Sequence, residues 1–108
     1  MPHLSKKQKS NLRQLLEELK KDLRLNNKII LAFREMNDWG SCSFNGKSFI
    51  ITISIESDVN SAISTLIHEL AHALAGAKKD DISHSDYWGK CYSKVYRSWL
   101  KLEFGSDD

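Results

Sequence analysis

The sequence predicts an α+β domain made of an N-terminal helix, a small, mostly antiparallel β-sheet, a helix bearing two histidines, and a C-terminal helix. Three observations carry this. Leu12, Leu15, Leu16, Leu19 and Leu23 recur at helical spacing near the start. Two short β-rich stretches follow, with Asn45-Gly46 between them as the strongest hairpin signal in the chain. Two further stretches of helical periodicity then run to the C-terminus.

Ser5 to Leu25 reads as the first helix, its leucine stripe facing a core and Lys, Arg, Glu and Gln filling much of the rest. Asn26-Asn27 is the expected stop. Lys28 to Arg34 is short, apolar and β-rich, and is expected as a strand. Residues 37–41 read as a turn-rich loop, leading into a brief Cys42-Ser43-Phe44 arm that Asn45-Gly46 reverses into a strand over Ser48 to Ile55. In that strand Phe49, Ile51, Ile53 and Ile55 share one side, which suits a sheet with one covered face. Asn60 or Ser61 caps a helix over Ser61 to Ala75, with Gly76 as its stop. Residues 77–83 form a polar link. A last helix is expected from Ser85 to Phe104, with Tyr87, Cys91, Val95, Trp99 and Leu102 as its buried stripe.

Size and composition narrow the classes. A chain of 108 residues fits one domain over 1–108, with 1–4 and 105–108 expected to fray. A net charge of +2 is too small to argue by itself for a nucleic-acid surface; Lys6, Lys7 and Lys9 read first as a solvated helix start, with nucleic-acid recruitment through their contact to a phosphate backbone as the weaker alternative. No apolar run approaches the roughly 20 residues that span a bilayer. The start lacks the apolar core of a signal peptide, so a cytoplasmic monomer is expected. Cys42 and Cys91 make no disulfide framework, and neither has a neighbour at zinc-ribbon spacing.

The chemistry-bearing stretch is His68-Glu69-Leu70-Ala71-His72. Ile63, Leu66, Ile67, Leu70 and Leu74 give the helix an apolar stripe, while His68, Glu69 and His72 fall on another arc with Thr65. Imidazoles four residues apart on a helix can meet one zinc ion, each nitrogen at about 2.0–2.1 Å. Glu69 then stands where a general base takes a proton from metal-bound water. This is the H-E-x-x-H arrangement of zinc peptidases. The flanking residues are nearly all apolar or small, so these polar groups face an interior cleft and need partners.

A catalytic zinc takes a third protein ligand. Ala75 and Lys78 stand where the metzincin pattern needs Gly and His, which rules that class out. His84 leads the remaining candidates and Glu103 is the alternative, as in gluzincins. Asp80, Asp81 and Asp86 are weaker, and His3 has no comparable context.

Trp39-Gly40-Ser41-Cys42-Ser43, a strand, His68-Glu69-Leu70-Ala71-His72 and then His84-Ser85-Asp86-Tyr87-Trp88 together resemble the SprT-like and YgjP-like (WLM-related) zinc peptidases, over about Trp39 to Trp88. The resemblance implies a minimal zincin core with one zinc per chain, His68, His72 and His84 as ligands, and Glu69 as base. It also implies a strand edge that holds substrate in extended form.

The expected function is therefore zinc-dependent peptide hydrolysis. A peptide pairs with the edge of strand 48–55, and Tyr87 is a candidate oxyanion stabiliser. Cys42 is a candidate thiolate ligand for the open metal position, set against a buried turn residue. The competing expectation is a catalytically silent zincin-fold binding or adaptor module. Intact Glu69 argues against it, because a structural metal site needs no base.

Overall fold

The computed structural model describes residues 3–78 and 86–105. The element order is α1 (Lys6–Leu23), β1 (Ile29–Arg34), β2 (Gly40–Phe44), β3 (Phe49–Ser54), α2 (Val59–Lys78) and α3 (Asp86–Phe104). This is the expected α+β succession of helix, three strands and two helices.

Ser5 starts α1 with a reciprocal capping box. Its hydroxyl accepts from the Gln8 amide at 3.0 Å, and the Gln8 side chain accepts from the Ser5 amide at 2.8 Å. Leu12, Leu16 and Leu19 are buried as their spacing requires. The helix ends before Asn26-Asn27, at Arg24, which turns left-handed with φ 55° and donates back to the last carbonyls. Nor does the N-terminal end fray as far as residue 4. Leu4 is buried, and its amide donates to the Ile55 carbonyl at 2.8 Å.

The sheet has the order β1-β3-β2 and is mixed. β2 and β3 pair antiparallel through the expected hairpin, with Gly46 at φ 91° leading a two-residue turn closed by Asn45 N to Ser48 O at 3.2 Å. β1, in contrast, runs parallel to β3 over all six residues. The expectation of a mostly antiparallel sheet fails here for a topological reason. Residues 35–48 carry the chain across to the far edge and back, long enough for the crossover that a parallel pair needs. β3 is consequently the central strand, hydrogen-bonded on both sides. Its edge cannot receive a peptide, and the unpaired edge facing the site belongs to β2.

Register places Gly40 opposite Ile53 and Cys42 opposite Ile51, so both lie on the inward face with Phe49, Ile51 and Ile53. Beneath that face lies α2. It packs on β2 and β3 on one side and on α3 on the other. Ala62, Leu66, Ile67, Leu70, Ala71 and Leu74 are all buried on it. Each fully buried leucine of this kind contributes about 1.5–3 kcal/mol. The same packing carries α2 through Gly76 to Lys78, past the stop its sequence suggests. A glycine costs a helix only about 1 kcal/mol, less than the tertiary contacts supply. The cap is Asp58 rather than Asn60 or Ser61, its carboxylate accepting from the Ser61 amide at 2.7 Å.

α1 lies chiefly against α3. Asp22 fastens the pair, accepting from Ser98 Oγ and Lys101 Nζ, each at 2.6 Å. The Lys101 and Ser98 bonds hold its carboxyl below the usual carboxylate range. On α3, Cys91, Val95 and Ser98 are buried, whereas Leu102 is 39% exposed and falls off the expected stripe. Gly105, with φ 80°, ends the helix by donating to the Lys101 carbonyl. Among the described residues, no helix is long and apolar enough to cross a membrane.

Candidate metal centre

His68, Glu69 and His72 arise from one turn of α2, on the arc that faces away from the leucine stripe. The two imidazole centroids are 5.1 Å apart and meet edge to face. One ligand atom from each of the three side chains lies within 4.8 Å of the others. Two nitrogens bound to one tetrahedral zinc at about 2.1 Å stand roughly 3.4 Å apart, a spacing that small ring rotations reach from here. The donor set fits a metal ion, and His68, Glu69 and His72 form a group that could hold one.

Glu69 is 8% exposed, and burial pushes its carboxyl up to about 7. What covers it is β2. A Cβ placed on Gly40 would overlap Thr65 Cγ2, lie 2.8 Å from the Thr52 carbonyl oxygen and 3.7 Å from Glu69 Cγ. Glycine at position 40 is thus a packing requirement: the strand crosses α2 so closely that no side chain fits. Cys42, two residues on along the same face, has its thiol pushed up to about 12, first by burial and then by the Glu69 charge. Cys42 is half-buried there and is not part of the metal-holding group.

The third side of the site comes from α3. The Trp88 ring lies 5.1 Å from the His68 ring and 5.3 Å from the His72 ring, centroid to centroid. Tyr92, one turn later, is 5.3 Å from Trp88 and 6.5 Å from His68. In the sequence reading Trp88 only closes the segment 84–88 that carries the resemblance, and Tyr92 has no role. Their signal was present as the four-residue step Trp88, Tyr92, Tyr96, a second stripe beside the one read as buried.

Tyr87, the candidate oxyanion stabiliser, packs against the core beside buried Cys91, with which its hydroxyl pairs; burial, foremost, raises its pKa. Among the described residues it does not line the cleft, and Tyr92 does. Glu103 is exposed and borders a separate hollow with Gln8, Asn11 and Val59. It stands eleven residues beyond Tyr92, about 16 Å along α3, and is not part of the metal-holding group. That removes the gluzincin alternative. Asp86 is exposed at the first turn of α3 and outside the group as well. His84, Asp80 and Asp81 lie outside the described residues.

The cleft these elements enclose has a volume of about 700 Å³. Its floor is Thr65, His68 and Glu69, one wall is Trp39 and Gly40, and the opposite wall is Tyr92. Trp39 is 66% exposed at the rim. No protein-family model, curated protein or solved structure matched the chain.

Proposed function

We propose that this chain is a zinc-dependent peptidase of the SprT-like kind, with His68, His72 and His84 holding the metal and Glu69 as its base. The observation that carries the reading is Glu69 itself. It is a buried carboxyl with its pKa raised to about 7, beside two imidazoles and on the floor of an open cleft. Purely structural packing would favour an apolar residue there, since an ionisable group so placed is costly to bury. A perturbed carboxyl in a cleft next to metal-ligating histidines is a recurrent mark of a catalytic site.

His84 is proposed as third ligand because it precedes by four residues Trp88, whose ring lies against both histidines. Zinc, when bound, polarises a carbonyl and lowers the pKa of its water towards about 7. Glu69 takes the proton from the attacking water and returns it to the departing amine. An extended peptide pairs with the free edge of β2, whose Gly40 end opens onto the cleft, and main-chain hydrogen bonds hold it there.

The test combines elemental analysis with hydrolysis of an unstructured protein such as casein. One zinc per chain is expected in wild type, lost in His72→Ala and in His84→Ala. Glu69→Gln should keep the metal and lose turnover. Full turnover in Glu69→Gln refutes the base, and no zinc after supplementation refutes the metal centre and leaves a binding module.

A further inference from the structure

His68, His72 and Trp88 pack as a triangle of three rings. The centroids of His68 and His72 are 5.1 Å apart, those of His68 and Trp88 5.1 Å, and those of His72 and Trp88 5.3 Å. The interplanar angles are 67°, 60° and 34° in the same order, so no two of these rings lie flat on one another. Both imidazoles come from α2 and the indole from α3, so the triangle sits where the two helices pack. Trp88 is itself held by Tyr92, whose ring lies 5.3 Å away at 38°, and both side chains are half-buried against the core.

A histidine on a helix turns about two side-chain bonds, and a metal ion requires both imidazoles in one orientation at once. Ordering a side chain only when the ligand arrives costs affinity, about two- to tenfold for each group immobilised. Ligand imidazoles are therefore usually oriented by a partner that contacts the ring away from the metal, and loss of such a partner lowers metal affinity about 10–100-fold. Aromatic rings attract in tilted and edge-on arrangements at centroid separations of about 4.5–7 Å. Both imidazole–indole contacts fall in that range, and one rigid indole meets both ligands. A side chain that merely filled the gap between α2 and α3 would need neither a flat ring nor contact with both.

We infer that Trp88 is a positioning residue of the metal centre, its indole holding the imidazoles of His68 and His72 together in the orientation a zinc ion takes. The inference rests on the metal reading of the site and is independent of peptide hydrolysis. Trp88 performs no chemistry in it: the ring acts through the two histidines, and Tyr92 steadies the ring in turn. A phenyl ring at this position keeps a flat partner for the imidazoles, whereas leucine keeps apolar volume and loses the ring.

The experiment compares the full-length wild type with Trp88→Phe and Trp88→Leu. Zinc affinity is measured by competition with a chromophoric chelator, under conditions where all three proteins are folded. Urea unfolding of the zinc-free proteins reports stability separately. Trp88→Leu should bind zinc about 10–100-fold more weakly, and Trp88→Phe should recover most of that loss. A second readout needs no metal. In the zinc-free wild type the carbon-bound ring protons of His68 and His72, identified by their loss in His68→Ala and His72→Ala, should be displaced by the indole ring current. In Trp88→Leu they should move to the positions of a solvent-exposed imidazole. Equal zinc affinity in all three proteins, with only stability reduced, overturns the inference and leaves Trp88 to packing alone. So does a leucine variant that binds zinc as tightly as the phenylalanine variant. A wild type that takes no zinc overturns it together with the metal centre. Zinc binding that follows residue 88 in a protein that never cleaves casein keeps the inference and removes the peptidase.

Discussion

Burying Glu69 has a thermodynamic signature that metal-free protein should show. Its carboxyl rises from the ordinary 4.5 to about 7 because burial disfavours the charge. In the interval between those values the folded chain keeps a proton that the unfolded chain has released. The folded state therefore binds more protons, and stability falls as pH rises from about 4.5 to about 7, then levels off. At about 1.36 kcal/mol per pH unit, the loss is about 3 kcal/mol. That is a large share of the 5–15 kcal/mol typical of a domain. Glu69→Gln removes the charge and keeps the shape, so its stability should lack this decline while retaining every other titrating group. With a chelator present, urea unfolding of both proteins at pH 4.5 and pH 8 isolates the effect. The two should be similar in acid. At pH 8 the variant should be the more stable, by a midpoint shift on the order of 1–3 M for a slope of about 1–3 kcal/mol per M. Parallel curves across this range, or a wild type that gains on the variant as pH rises, would refute the argument that desolvation dominates at Glu69.

Two further substitutions probe the frame around the site. Gly40→Ala forces a methyl group onto Thr65 and the Thr52 carbonyl, and the backbone oxygen cannot yield. It should destabilise by about 1–3 kcal/mol, as overpacking does, and should also depress zinc retention, read by thermal melting and metal analysis of the same sample. Asp22→Ala leaves Ser98, which is 4% exposed, without its partner. A loss of about 1–2 kcal/mol in chemical unfolding is expected, with zinc content unchanged.

The helices were legible because each buries a continuous stripe, and periodicity reports burial directly. α1 and α3 begin within a residue of their expected starts, and the hairpin forms at Asn45-Gly46. What the sequence left hidden is what depends on partners distant in the chain. The parallel pairing of β1 with β3 reflects which side of β3 the chain returns to, and residues 29–34 read the same in either direction of pairing. Gly40 reads locally as a turn former, and its reason lies in Thr65, twenty-five residues away. At the site, His68, Glu69 and His72 were visible because one helix turn brings them together. Tyr92 was not, and Trp88 was visible only as the end of the segment 84–88, because their place against the histidines depends on how α3 docks on α2. Tyr87 and Tyr92 are five residues apart on one helix, and only docking decides which of them reaches the cleft.

The bond network of Asp22 with Ser98 and Lys101 sits ten or more residues, about 15 Å or more along α3, from Trp88 at the histidines. No residue of α1 borders the cleft. The N-terminal helix is thus set apart from the cleft, and its substitutions are expected to alter the fraction of chains that are folded more than the arrangement around His68, Glu69 and His72. Such a division gives the sequence two independent dials. Substitutions within residues 6–23 should show in the unfolding free energy, and those at Trp39, Gly40, Thr65 and Tyr92 in what the cleft holds.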